Sequence, residues 1–255
     1  MLDGFMRNML AMMELEMRRL RHDRTELYSR AVQPILWIAI FGPIMGSVRA
    51  IPTGGIPYTD YITPGALIQS TTFISIFYGL TIVWERESGI LKKLLVAPAS
   101  RYSIVIGRAL ASGVRAIFQA LIIIPVALII GVRFVPNILN FILALLVIFL
   151  SSGGFAATSI LVASFMKTRE RFMGIGQALT MPLFFASNAL YPVAIMPEIM
   201  QWIARFNPMS YVVDAVRSLI IIGDLSNLPM DLAAIALFDA IMFTIASINF
   251  RRVIE

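Results

Sequence analysis

The chain has 255 residues, 58% of them hydrophobic and only 14% charged, whereas soluble domains carry about 45–50% apolar and about 25% charged residues. Together with a mean hydropathy of +0.82, this excludes a soluble doubly wound enzyme, a disordered tail and a secreted disulfide scaffold, and the absence of cysteine removes thiolate metal sites and thiol catalysis. A net charge of +6 would suggest nucleic acid in a soluble protein; in a membrane protein it reports basic loops that hold the topology, and no nucleic-acid partner is implied.

From the N-terminus, residues 1–30 are too dense in charge for a signal peptide and lack a continuous apolar stretch. At 100° per residue Leu2, Phe5, Met6, Met9, Leu10, Met12, Met13, Met17 and Leu20 share one arc, with Arg7, Glu14, Arg18 and Arg21 opposite and Glu16 intruding on the apolar side. The pattern predicts a cytoplasmic amphipathic helix lying in the membrane interface. Crossing the hydrocarbon core takes about 20 mostly apolar residues. Charge-free runs occur at Ala31–Val48, Tyr61–Trp84, Ala116–Val132, Phe134–Met166 and Phe172–Pro197. The third is read back to Ala109, enclosing Arg115. The fourth exceeds one span, so its helix is placed from Ile138, with Pro136 and Asn137 in a turn. A sixth span, Leu232–Phe250, is interrupted only by Asp239. The predicted fold class is an all-α integral membrane protein with six transmembrane helices.

Orientation follows from Lys and Arg. With the N-terminus inside, six precede the first span, five lie at 86–108, three at 167–171 and two at 251–252, which makes sixteen inside against Arg49, Arg133, Arg205 and Arg217 outside. That bias places both termini in the cytoplasm. The loop between spans two and three opens with Glu85, Arg86, Glu87 and Gly89. Ile90, Leu91, Leu94 and Leu95 then fall on one side of a short helix that Pro98 stops. A short cytoplasmic helix with an apolar edge needs a packing partner, either its own bundle or a soluble protein.

Glu85-Arg86-Glu87 followed by Gly89, Leu94, Leu95 and Pro98 resembles the cytoplasmic loop of ABC-2-type exporter permeases. The string from Asn207 and Pro208 through Tyr211 and Asp214 to Arg217 is similar to that family's segment before the last span, and Ile62–Leu67 resembles a third recurrent element. Within the family the combination looks most like the drug-resistance (daunorubicin-type) branch. The resemblance implies a permease subunit in the plasma (inner) membrane of a prokaryote. It would pair with a second, identical copy, and each copy would dock a separate ATPase subunit through the coupling helix Ile90–Ala97. It also implies an outer-leaflet re-entrant helical hairpin over Met196–Asp231. Asn207 suits an N-cap and Pro208 a first helical residue, while Asp214 and Arg217 can pair at i and i+3.

The chain itself has no Gly-Lys pair and hence no P-loop, so ATP and Mg are expected on the partner ATPase and no cofactor on this chain. Leu150-Ser151-Ser152-Gly153-Gly154 only faintly resembles an ATPase signature and, inside an apolar span, reads as a small-residue packing patch. The single histidine, His22, stands far from any cluster, and zinc-protease and nucleophile-elbow motifs are absent, so no catalytic residue and no enzyme is predicted. Serines within spans, Ser159 among them, read as backbone-bonded or packing residues. Arg115 and Asp239 are the intramembrane polar candidates, because an ionised side chain at mid-span costs about 2.5–3.5 kcal/mol on insertion scales; Arg115 is close enough to the cytoplasmic end to snorkel. Gly42 and Gly46 around Pro43 suit either a close helix contact or a kink, and Phe73, Phe77, Phe184 and Phe185 are candidates to line a path. The expected substrate is amphipathic, a drug or lipid, with a polysaccharide or glycolipid as the alternative cargo. A different class of reading, an ion-gradient carrier, would use Asp239 for coupling and Pro125 or Pro182 as a helix break.

Overall fold

The computed structural model describes residues 14, 18, 24–49, 51–89, 101–166 and 168–250. Among them every regular element is helical. In chain order these are α1 (Arg24–Leu36), a π-helical turn (Trp37–Phe41), α2 (Gly42–Val48), α3 (Tyr58–Phe77), α4 (Gly79–Glu87), α5 (Arg101–Ile130) and α6 (Ile138–Phe165). They are followed by α7 (Arg169–Phe185), α8 (Glu198–Phe206), α9 (Pro208–Arg217), a second π-helical turn (Ser218–Ile222) and α10 (Leu228–Asn249). The predicted interfacial helix lies outside the described residues save for Glu14 and Arg18, which are helical and ion-paired at 2.7 Å, and for 24–30, which already belong to α1.

Among the described residues five stretches are long and apolar enough to cross a membrane: Leu27–Val48, Tyr58–Glu87, Ile104–Ile130, Ile138–Phe165 and Leu228–Asn249. The fifth expected span, Phe172–Pro197, is the one that differs. Its helix α7 starts earlier, at Arg169, and stops at Phe185, giving 17 residues or about 25 Å at 1.5 Å per residue. Pro182 removes one N–H near its end, and the chain then turns through 186–192, held by side chains described below. The turn expected at Pro136–Asn137 is present: the Asn137 side chain accepts from the Leu139 amide and α6 begins at Ile138. Pro125 lies within an unbroken α5.

The α3–α4 span is the axis of the bundle. Of its most apolar window 78% is buried, against 22% for Leu27–Val48 and for Leu228–Asn249. Small residues allow this. A methyl group at Gly65 would stand 2.4 Å from the carbonyl oxygen of Ala189, and one at Gly113 of α5 would overlap the Phe149 ring of α6 at 2.6 Å. Gly42 faces Thr59 of α3 in the same way, so the Gly42–Gly46 pair serves a contact within the chain. Pro43 follows a π-helical turn that closes from the Gly42 amide to the Trp37 carbonyl, which absorbs the missing hydrogen bond in a widened turn.

The break between α3 and α4 has an identifiable cause. Ser159 of α6 reaches into the backbone ladder, where its hydroxyl donates to the Ile76 carbonyl and accepts from the Gly79 amide at 2.8 Å. A side chain inserted into the i to i−4 ladder bends a helix in this way, and any side chain at residue 79 would collide with Ser159.

Replacing Gly65 by Ala forces the α3 backbone off the Ala189 segment and is expected to destabilise the detergent-purified protein by about 1–3 kcal/mol, as overpacking does. Gly174→Ala, in the interior of α7 with no atom within 4 Å of the added methyl, is expected to be neutral or to stabilise by about 0.5–1 kcal/mol. Thermal unfolding followed by size-exclusion chromatography reads both.

Candidate functional site

Three side chains at the end of α4 connect it to three different helices. Glu85 forms an ion pair with Arg108 of α5, and the two residues are 2% and 4% exposed. Arg86 donates to the Met166 carbonyl at the end of α6 (3.4 Å). Glu87 pairs with Arg169 at the start of α7. Gly89 closes the helix in the left-handed region (φ +71°), the conformation that glycine adopts freely at a helix C-terminus. Ile90, Leu91, Leu94 and Leu95, the expected docking residues, lie outside the described residues. The structure thus brings Glu85, Arg86 and Glu87 together as a node at the root of that loop. Because successive residues on a helix point about 100° apart, three consecutive charged residues reach three neighbours.

Arg115 lies two turns further along α5. It is 7% exposed, and its guanidinium carbon lies 5.2 Å from the centre of the Tyr78 ring, at the α3–α4 break. The side chain therefore packs against the break. Nearby, Gln119 of α5 and Ser70 of α3 share a buried hydrogen bond of 3.0 Å. The polar face of α5 thus follows α3 and α4 from the node past the break.

At the opposite end of the bundle the expected motif is built around two residues. The Asn207 side chain accepts from the Met209 amide and so starts α9, with Pro208 as its first residue. The amide of the same side chain donates to the carbonyls of Leu183 (2.7 Å) and Ala186 (3.1 Å), where α7 ends. Tyr211 donates to the Arg205 carbonyl (2.6 Å), tying α9 to α8. Arg217 is buried, pairs with Asp214 at 3.0 Å, donates to the Asn188 carbonyl at 2.8 Å, and lies 4.0 Å from the Tyr61 ring centre. Tyr58 and Tyr61 donate to the carbonyls of Leu190 (2.8 Å) and Asn188 (3.2 Å). The irregular 186–192 segment is thereby fastened to α3, and Asp60, also buried, accepts from the Arg133 amide after α5 (3.3 Å).

Asp239 lies well away from both ends, in the middle of α10, beside Gly154 of α6. An added methyl at Gly154 would overlap its Oδ1, so the small-residue patch of α6 makes room for this carboxylate. A separate face between α1, α3 and α7 carries Gln33, Gln69, Thr72, Phe73, Thr180 and Phe184 around a narrow cleft. There Phe73 and Phe77 stack at 4.2 Å, the Arg30 guanidinium lies 5.5 Å from the Phe73 ring centre, and Phe184 meets both Trp37 and Phe185 edge-on. Among the described residues no three of His, Cys, Asp or Glu come together as a metal site.

Several of these residues were not singled out in the sequence as site residues: Arg108, Arg169, Asp60 and Asn188. One signal was available for Arg108. Arg108 and Arg115 stand seven residues apart, so they share one stripe of α5, and a cation buried on a helix inside an apolar bundle calls for a carboxylate or an aromatic face opposite. The partner of Arg217 at Asn188 is a backbone carbonyl, which no residue pattern marks.

The sequence profile of the family described as ABC-2 type transporter matches residues 7–221, which include both the node and the Asn207–Arg217 string. The chain is 31% identical over 195 residues to the putative transport permease ycf38 of Cyanophora paradoxa, an alignment covering 76% of this chain and 67% of that protein. It is 26% identical over 202 residues to the probable doxorubicin resistance ABC transporter permease protein DrrC of Mycobacterium tuberculosis, covering 78% and 71%. With the probable multidrug ABC transporter permease YbhR of Escherichia coli it shares 28% identity over 165 residues, covering 64% and 44%. With two thirds of its length and more inside the matched region, and with apolar helices to cross a membrane several times, the chain belongs to the ABC-2 type transporter family.

Proposed function

We propose that this chain is the permease subunit of an ATP-driven exporter that moves amphipathic, drug-like or lipid-like molecules. Two copies form the path and two separate ATPase subunits, which bind ATP and Mg, dock on the segment Ile90–Ala97. The observation that carries the reading is the node at Glu85, Arg86 and Glu87. A force applied just beyond Gly89 reaches α5, α6 and α7 at once, through two ion pairs and one hydrogen bond. Family membership supports the dependence on a partner ATPase, and relatives named for doxorubicin resistance and multidrug transport support the class of cargo.

In this reading α7, with the turn after it, serves as a short sixth crossing, and α8 and α9 form a hairpin that dips into the outer leaflet. Asn207 and Arg217 satisfy the backbone groups that such a hairpin leaves open. The positive-inside bias places the node and both termini on the cytoplasmic side. The face bearing Gln33, Gln69, Phe73 and Phe184 combines aromatic rings with a few neutral hydrogen-bonding groups, a chemistry suited to amphipathic cargo. Two copies facing each other across it would enclose the path.

Co-purification with a partner P-loop ATPase tests docking. Leu94→Asp is expected to abolish assembly or coupled ATP hydrolysis while leaving membrane insertion intact, and normal coupling in that variant would overturn the docking assignment. Transport by the chain alone in liposomes, driven by a proton or sodium gradient, would overturn the reading as a whole. For the node, Glu85→Gln removes the Glu85 carboxylate from the buried Arg108 guanidinium and is expected to destabilise the protein, by at most about 3–5 kcal/mol. The double variant Glu85→Leu/Arg108→Met is expected to regain most of that stability yet to show reduced coupled hydrolysis, measured on the reconstituted complex.

A further inference from the structure

A cavity of about 510 Å³ opens between α6 and α10, away from the cleft between α1, α3 and α7. Val147, Leu219 and Ile235, all buried, form its floor, while Leu146 and Leu150 on its walls remain exposed. The cavity is therefore open at the side of the bundle, toward the acyl chains of a surrounding membrane. Its volume falls in the range of small-molecule sites, about 300–1,000 Å³. Every lining residue is apolar except Asp239.

The position of that carboxylate sets the chemistry. At 1.5 Å per residue, Asp239 stands about 16 Å from Leu228 and about 15 Å from Asn249, the two ends of α10; the hydrocarbon core is about 30 Å thick, so the group sits near the middle of the layer. Its Oδ1 is buried against Gly154 with no hydrogen-bond partner among the described residues, and no Lys or Arg lines the cavity. A carboxylate held in an apolar groove at this depth is matched by a cation that carries its own apolar body. A phospholipid amine does not qualify, because its phosphate would have to sink through half the layer with it.

We propose that the groove between α6 and α10 binds a lipophilic amine, with the alkyl or aryl body along Leu146, Leu150 and Ile235 and the ammonium donating to the Asp239 carboxylate. Such a charge-assisted pair, formed out of water, favours the amine over a neutral molecule of equal length. The inference concerns binding and stands whether or not the groove belongs to the export path.

Photo-crosslinking tests it on the purified full chain in phosphatidylcholine nanodiscs, without any ATPase. The probes are three diazirine-bearing twelve-carbon chains ending in an amine, an alcohol and a carboxylate. The amine is expected to label peptides from 138–165 and 228–249 at least about tenfold more than the alcohol, the factor that one charge-assisted hydrogen bond supplies. Asp239→Asn is expected to erase that excess and Asp239→Glu to keep it. Ala236→Phe, which narrows the groove and spares the carboxylate, is expected to lower labelling by amine and alcohol together, and it decides the matter if Asp239→Asn does not fold. Three results would each overturn the proposal: equal labelling by amine and alcohol, an amine excess that survives Asp239→Asn or labelling that Ala236→Phe leaves undiminished, and no labelling of the two helices by any probe, as when a second copy covers the groove. None of these bears on ATPase docking, so the exporter reading is tested separately.

Discussion

Inside a hydrocarbon layer a backbone amide or carbonyl that leaves its helix has no water to bond with, and each one left open costs several kcal/mol. Three departures from regular helix among the described residues are answered by side chains from elsewhere in the chain. Ser159 fills the gap between α3 and α4. Asn207 closes the end of α7 with one end of its amide and opens α9 with the other. Arg217, Tyr58 and Tyr61 take up the carbonyls of the 186–192 turn. These contacts let an apolar helical bundle contain an interrupted span, the 17-residue helix α7 with the irregular turn after it, and the short helices α8 and α9, with the backbone groups at those breaks bonded.

The charges obey the same constraint. Glu85 and Arg108 neutralise each other where both are shut away from solvent, and Arg115 spreads its charge over the face of Tyr78. A buried ion pair adds little net stability compared with well-packed apolar residues, but removing one partner is severe. Its value here lies in geometry. Together with Arg86 and Glu87 it fixes where the end of α4 stands relative to α5, α6 and α7. A loop rooted in such a node is tied to α5, α6 and α7 together, which is what the proposed drive from a partner outside the membrane would require.

Much of this was legible in the residues. Apolar run lengths located the five long spans to within a few positions, and the Asn137 turn and the Asn207-Pro208 helix start followed from capping chemistry. The fifth predicted span was overextended because 186–197 is apolar enough to pass for helix. What ends the helix there is a set of tertiary bonds from Asn207, Tyr61 and Arg217 to backbone carbonyls, and backbone carbonyls are identical at every position. The break at Tyr78 was hidden for the same reason. Nothing around Gly79 marks it more strongly than other glycines in the spans, and its cause is a serine eighty residues away. The node was half visible: its acidic residues stood out, whereas Arg108 looked like one more inside charge until its seven-residue spacing from Arg115 is placed on a helix.

The interruption held by Ser159 has a mechanical consequence. It divides one crossing into a long strut clamped in the centre of the bundle and a nine-residue lever, α4, about 13 Å long. A tilt of about 10° at the pivot swings the charged tip by about 2 Å, a displacement comparable to helix shifts in known switching proteins. A single hydroxyl sits at that pivot with a backbone donor on one side and a backbone acceptor on the other. The lever can therefore swing by bending two hydrogen bonds, without unwinding a turn of helix in a medium that would not forgive it.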